Sequence, residues 1–299
     1  MPELPEVETI RRGLAAVLPG RKIKAVEVRL PKAYQAIGPE DDSRVIGAMV
    51  KSVERRGKAL LIGLSTGLTL LIHLKMTGQL IYREKQQIKL AGGHPTTDMV
   101  LGEYPKKSTH VIFTFDNGGE LFFNDQRTFG YIKVLPTEDL GSVPLLKSLG
   151  PEPLDRTFAL EKFMEMLNRR PNAKLKPLLL DQTFIAGLGN IYVDEALNLS
   201  KLHPLRTAGS LTSAEGKELF EAIKQVLRTS LKYGGTSDNT YVTIRGGKGD
   251  YLNHARAYHR SGEPCRTCGR PIERSVVAGR GTHTCPHCQK PPRVRKAVV

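Results

Sequence analysis

Apolar residues recur at helical spacing from the start of the chain. Val7, Ile10, Leu14 and Val17 line one face of a helix predicted over residues 6–18, which Pro19-Gly20 ends. The period then shortens. Candidate strands fall at residues 22–30, 45–54, 59–64, 68–74, 110–116, 120–124 and 131–135. Asn117-Gly118-Gly119 reads as a hairpin turn, because asparagine and glycine accept positive φ. Many short strands separated by turn signals predict a β-sandwich. Residues 84–108 have weak periodicity, with glycines and prolines after Leu90, and read as a long loop.

Residues 137–153 carry scattered Gly and Pro and read as a linker, after which the period is helical. Leu160, Phe163 and Leu167 share one side of a helix over 158–169, and further helices are predicted at 191–199 and 212–232. Thr212-Ser213-Ala214-Glu215 has the form of a capping box, and Tyr233-Gly234-Gly235-Thr236 ends the last helix. The glycine-rich, polar stretch 237–251 is predicted to be a mobile loop. No internal repeat is present.

Composition narrows the class. Hydrophobic residues make up 39% and charged residues 25% of 299 positions, as in an ordinary folded protein large enough for more than one core. No run of about 18 apolar residues exists, so no membrane span is expected. The opening Met1-Pro2-Glu3-Leu4-Pro5-Glu6 is acidic and proline-rich, unlike a secretory signal. Lys and Arg outnumber Asp and Glu by 45 to 30, a formal charge of +15, which attracts a polyanion and points towards nucleic acid.

All 4 cysteines lie near the C-terminal end. Cys265-x-x-Cys268 and Cys285-x-x-Cys288 have the spacing of a four-thiolate zinc site; iron or redox thiols are the lesser alternatives. Such clustering fits a reducing cytosol better than a disulfide framework. A closed four-thiolate site is structural, so its work is to hold the segment between the knuckles, where Gly279-Arg280-Gly281 could approach a phosphate backbone. His283 and His287 read as bystanders. An ordinary exposed arginine at a turn is an equal reading of Arg280.

Removal of Met1 would expose the secondary amine of Pro2. An α-amino group titrates near about 8, so part of it is neutral and able to attack a sugar C1′. Glu3 and Glu6 are the adjacent candidate acid and base, although helix N-terminal charges are the commoner use of such residues.

With these features in hand, Met1-Pro2-Glu3-Leu4-Pro5-Glu6-Val7-Glu8-Thr9 resembles the opening of the bacterial formamidopyrimidine-DNA glycosylases, the 8-oxoguanine DNA glycosylase/AP lyases. The resemblance continues at Arg55-Arg56-Gly57-Lys58, His73-Leu74-Lys75-Met76-Thr77-Gly78, Asp125-Gln126-Arg127-Thr128-Phe129-Gly130, Leu149–Leu154 and Gly187–Glu195, and ends in the cysteine module. It implies an α+β multidomain fold: an N-terminal β-sandwich flanked by helices (1–136), a linker (137–153), a helix–two-turn–helix domain with a lesion loop (154–250), a zinc-finger β-hairpin (251–290) with one structural zinc, and a basic tail (291–299).

The resemblance also implies roles. Pro2 would be the Schiff-base nucleophile and Glu3 the proton donor and shuttle, with Lys58 assisting β-elimination and Arg280 δ-elimination at the phosphate beside the lesion. Asn190 would bind phosphate at the helix–two-turn–helix, and Glu195 would support the site. Met76, Arg127 and Phe129 would fill the gap left by an extruded base, with the arginine pairing to the orphan cytosine. Without the motif, Met76 and Phe129 would read as core. His73 and Lys176 match positions near DNA, where structural roles are also credible. The family usually has a His-x-His pair where Ser108-Thr109-His110 keeps only the second, and His94 or Lys107 is a candidate substitute. Pro171-Asn172 interrupts the basic stretch begun by Arg169-Arg170.

The implied partner is damaged double-stranded DNA, acted on by a monomer in the bacterial cytoplasm, at the nucleoid. Two rivals predict different behaviour. The sister endonuclease VIII group removes oxidised pyrimidines, typically has Gly in place of Leu4, and lacks the Met76, Arg127, Phe129 set. A non-catalytic zinc-ribbon protein would bind DNA without cutting it and leaves Pro2, Glu3 and Lys58 unexplained.

Overall fold

The computed structural model describes residues 1–36, 41–94, 103–236 and 249–292. Most of the predicted lesion loop and of the basic tail lies outside the described residues. The chain forms two compact units, Met1–Ser148 with Ser230–Tyr251, and Leu149–Thr229 with Leu252–Val299.

The first unit opens with helix α1 (Leu4–Val17), whose buried face is Leu4, Val7, Ile10 and Leu14. Then come β1 (Ile23–Val28), β2 (Tyr34–Ala36), a short helix α2 (Asp41–Val45), β3 (Val50–Arg56), β4 (Ala59–Leu64), β5 (Leu68–His73), β6 (Gly78–Glu84), β7 (Gln87–Gly93), β8 (Thr109–Phe115), β9 (Glu120–Asp125), β10 (Tyr131–Pro136) and α3 (Pro144–Lys147). Two five-stranded sheets result, ordered β1-β8-β9-β6-β7 and β2-β10-β5-β4-β3. Every pairing within them is antiparallel except β10 with β2. Leu60, Ile72 and Val134 from one sheet share a core with Leu80, Phe113 and Phe123 from the other, which is the expected sandwich.

Two local expectations change. The predicted strand 45–54 is a helix end and a shorter strand, because the chain turns at Gly47 with φ +84°. The predicted loop 84–108 begins instead as a hairpin, β6 with β7, turning through Lys85 and Gln86 at φ +48° and +61°. Neither turn residue is Gly or Asn, so the signal for this hairpin was missing. Beyond it, Tyr104 packs on Phe122 with centroids 5.0 Å apart, in a small cluster with Ile81, Ala91 and Ile112. The β8–β9 turn is as predicted: Gly118 is left-handed and Asn117 Oδ1 accepts the Gly119 N–H at 3.0 Å.

In the second unit, α4 (Leu160–Asn168), α5 (Leu175–Leu180), α6 (Asn190–Leu199) and α7 (Ser213–Lys232) precede a single turn, α8 (Tyr251–His254), and a hairpin of β11 (Glu273–Val277) and β12 (Arg280–Thr284). The ends of α7 and α8 straddle the division between units. Phe158, Phe163, Phe184 and Phe220 pack edge-on or tilted at 5.5–6.3 Å. The capping box forms: Thr212 N–H donates to Glu215 Oε2 at 2.8 Å, and Glu215 N–H to Thr212 Oγ1 at 3.2 Å. Residues 230–236, expected with the helical domain, belong to the first unit. Glu6 Oε1 accepts the Thr236 N–H and hydroxyl there at 2.8 and 3.0 Å.

Candidate active site and nucleic-acid interface

Pro2 and Glu3 are buried at the start of α1, where Glu3 is the N-cap residue. The Glu3 N–H donates to Glu6 Oε2 at 2.9 Å, so one carboxylate serves both the start of the helix and the root of the segment at Thr236. That fixes the backbone carrying the two candidate catalytic residues.

Lys58 follows Gly57, whose φ of +56° makes the tight turn between β3 and β4 possible. Its side chain is buried, an unusual place for a lysine. The turn is gripped by Arg55, which donates to the Gly57 carbonyl at 2.8 Å and pairs with Glu8 at 3.2 Å. Burial pushes the Glu8 carboxyl up, but Arg11, Arg12 and Arg55 outweigh it and hold it below the usual range.

His73 ends β5, opposite Ala59 and Tyr131. Burial, then the charges of Lys75 and Lys58, push its pKa down from 6.5 to about 4. The imidazole is therefore neutral near pH 7. Its Nδ1 accepts the Lys75 N–H at 3.0 Å, which leaves the ring proton on Nε2. This bond braces Lys75 at φ +50° and throws Met76 outward, 37% exposed. His94 is half-buried; burial and then the positive α-amino group lower its pKa, against an opposing effect of Asp125. His110 is committed elsewhere, its Nε2 lying 2.6 Å from the Asp125 carbonyl.

The segment after β9 presents Arg127 and Phe129. Phe129 is 54% exposed, and the Arg127 guanidinium lies over its ring at 5.0 Å. Large apolar groups held out in this way are not core, which settles the alternative reading of Met76 and Phe129 against packing.

In the second unit the four cysteine sulfurs all lie within 4.8 Å of one another, with Cys268 and Cys285 at 3.5 Å. A tetrahedral zinc with bonds of about 2.3 Å fits that spacing. Each knuckle aims backbone N–H groups at sulfur, Thr267 to Cys265 and Cys288 to Cys285, both at 3.4 Å. The module holds one structural zinc.

Arg280 is the first residue of β12, paired with Val277 across a turn through Ala278 and Gly279 at φ +48° and +72°. It is exposed. The carbonyl of Gly281 beside it accepts from Asn190 Nδ2 at 2.9 Å and from Lys176 Nζ at 2.9 Å. Lys176, for which a place near DNA and a structural role were both expected, has the environment of a structural residue: its side chain is 0% exposed. Nζ pairs with Asp194 Oδ1 at 2.6 Å and donates to Thr282 Oγ1 at 2.8 Å, so its charge is spent within the protein. Asp194 Oδ2 in turn accepts the His283 N–H at 2.9 Å. Asn190 starts α6 and lines an open recess of about 450 Å³ with Tyr258, Arg274 and His283, and its Oδ1 is buried without a hydrogen-bond partner among the described residues. Glu195 accepts backbone N–H groups of Arg256, Ala257 and Tyr258 at 2.7–2.8 Å, anchoring the segment that leads into the zinc module.

Three family models match in chain order: the formamidopyrimidine-DNA glycosylase N-terminal domain over residues 1–132, its H2TH domain over 149–242, and the zinc finger found in FPG and IleRS over 262–291. The chain belongs to the formamidopyrimidine-DNA glycosylase family. It is 45% identical to the formamidopyrimidine-DNA glycosylase of Pelotomaculum thermopropionicum, over 97% of this chain and 99% of that protein. Against the Herpetosiphon aurantiacus protein of the same name it is 46% identical, over 97% and 100%. A solved structure of Lactococcus lactis Fpg in complex with an abasic site containing DNA superposes with TM-score 0.84 at 35% identity, covering 97% of this chain and all of that one. A point mutant of the Lactococcus lactis protein in complex with Fapy-dG containing DNA gives 0.85 at 34%, with the same coverage.

Membership in this glycosylase family makes the chain a base excision repair enzyme, a DNA glycosylase with AP lyase activity. No helix among the described residues is long and apolar enough to cross a membrane. Sequence reading missed the supporting residues Glu6, Asp125 and Asp194 in these roles. Two of them carried a local signal: Glu6 is three residues after the N-cap Glu3, as in a capping box, and an Asp two residues before Arg127 can form an Asx turn, Asp125 Oδ1 accepting the Arg127 N–H at 3.2 Å.

Proposed function

We propose that this glycosylase excises oxidised purines, 8-oxoguanine and formamidopyrimidines, from duplex DNA, and then cuts the strand by β,δ-elimination. The neutral amine of Pro2, freed of Met1, attacks C1′ of the damaged nucleoside. Glu3 protonates the sugar ring oxygen, the base departs, and an iminium remains. The iminium acidifies the C2′ hydrogen; its loss expels the 3′ phosphate, and a second elimination expels the 5′ phosphate. Lys58 and Arg280 supply positive charge to those phosphates, and Asn190 contributes a second N–H to the backbone. His94 takes the DNA contact that the family gives to the first histidine of its pair. The enzyme works as a monomer in the cytoplasm.

The observation that carries the choice of purines is the exposed set Met76, Arg127 and Phe129. An arginine pairs with the orphan cytosine opposite a lost guanine, and the apolar pair replaces its stacking. The test is incubation of protein lacking Met1 with duplex DNA carrying 8-oxoguanine opposite cytosine, with borohydride to reduce the iminium. The expected result is a covalent adduct at Pro2, and strand cleavage when borohydride is omitted. Tight binding with neither adduct nor cleavage would overturn the reading.

A further inference from the structure

The three residues that enter the duplex sit on two separate loops, yet they must arrive together. We infer that Asp125 is the positioning residue that locks both loops into one probe. This rests on the proposed role of Met76, Arg127 and Phe129.

Asp125 is the last residue of β9 and is 1% exposed. Its main chain is fixed on both sides: the N–H donates to the Ser108 carbonyl at 2.9 Å, and the carbonyl faces His110 Nε2 at 2.6 Å. Its carboxylate then closes the following loop at both ends. Oδ1 accepts the Arg127 N–H at 3.2 Å, and Oδ2 accepts the Gly130 N–H at 2.6 Å. Arg127 and Phe129 are exposed on the loop so closed, beside Gln126.

The second loop is tied to the same group. Thr77, next to Met76 and itself buried, donates its hydroxyl to Asp125 Oδ1. The Thr77 oxygen accepts the Arg127 N–H at 3.0 Å, so one amide is shared between the two loops. Lys32 adds a tether, its Nζ donating to the hydroxyl of Thr128, which is left-handed at φ +55°. A carboxylate alone among side chains of this size offers two oxygens to three donors; asparagine would turn an N–H₂ group against one of them.

The consequence is kinetic. Loops ordered on folding need not be ordered again when DNA binds, so insertion loses less entropy. A probe that moved by an ångström would lose much of its effect, since misplacements of that size cost on the order of 100-fold in rate.

The test compares wild type with Asp125→Asn, Thr77→Val and Lys32→Met. On duplex 8-oxoguanine opposite cytosine, single-turnover excision by Asp125→Asn should fall roughly 10- to 100-fold, with Thr77→Val intermediate and Lys32→Met mildest. Preference for cytosine over adenine opposite the lesion should shrink in the same order. Cleavage of an abasic site in single-stranded DNA, which has no orphan base and no gap to fill, should stay within about 2-fold of wild type. Equal losses on duplex and single strand would show a general structural role and overturn the inference, as would unchanged duplex excision and base preference. If Asp125→Asn fails to fold, Thr77→Val and Lys32→Met decide by the same two substrates. A wild type inactive on the duplex would instead sink the proposed function, so the two failures are distinct.

Discussion

Replacing Lys176 by Met keeps most of the side-chain volume and removes a buried charge. Three partners lose a donor: Asp194 Oδ1 at 2.6 Å, Thr282 Oγ1 at 2.8 Å and the Gly281 carbonyl at 2.9 Å, which keeps Asn190. Asp194, 1% exposed, keeps His283, whose backbone N–H donates to Oδ2 at 2.9 Å and whose Nδ1 lies 3.3 Å away. Breaking one side of a buried ion pair costs about 3–5 kcal/mol, whereas an exposed pair is worth about 1 kcal/mol or less. For a unit of this size that corresponds to a melting temperature lower by about 10–20 °C. Thermal unfolding with zinc release followed by a chromogenic chelator measures it. Lys176→Met/Asp194→Asn removes both charges and should recover at least half of the loss.

DNA binding separates a brace from a contact. Lys176→Met should weaken affinity without changing the salt dependence, because no phosphate contact is lost. Arg280→Ala should lower the slope of log K against log salt by about one. A Lys176→Met variant that melts within about 1 kcal/mol of wild type, or that loses a full unit of salt slope, would refute the reasoning and return Lys176 to the DNA surface.

The remaining expectations are as concrete. Pro2→Gly keeps a primary amine and should slow adduct formation and cleavage without abolishing them, as followed by borohydride trapping. Glu3→Gln should abolish base excision while DNA affinity, measured by anisotropy, stays within about 2-fold; a parallel loss of affinity would mean that Glu3 shapes the fold rather than the chemistry. Cys265→Ser should release zinc and weaken DNA binding, and unchanged affinity would contradict the bracing role of the module. His73, held neutral in the fold at about 4 against 6.5 when unfolded, contributes stability that is fully present above pH 6.5 and is lost as pH falls towards 4. The loss is on the order of 3 kcal/mol. Urea unfolding between pH 7 and 4 should show it, and His73→Gln should flatten that part of the profile.

What the sequence determined by itself is local or motif-bound. The zinc site was legible because two CxxC knuckles make tight turns whatever surrounds them. So was the α7 cap, made by Thr212 and Glu215 three residues apart. Hairpin turns were legible where Asn or Gly marked them, and not at Lys85-Gln86, where sheet pairing holds two ordinary residues left-handed. The candidate catalytic residues were legible only as a family pattern, since a proline and a glutamate at a chain start imply no chemistry alone.

Only tertiary structure decided what each charged group does. Lys176 looks like any cation of a basic chain until Thr282, 106 positions away, and Asp194 enclose it. Asp125 looks like a turn residue until Thr77, 48 positions earlier, closes on it. The physical reason is common to both. A side chain's role depends on the partners that replace its water, and those partners are brought together by sheet and helix packing that no local spacing encodes.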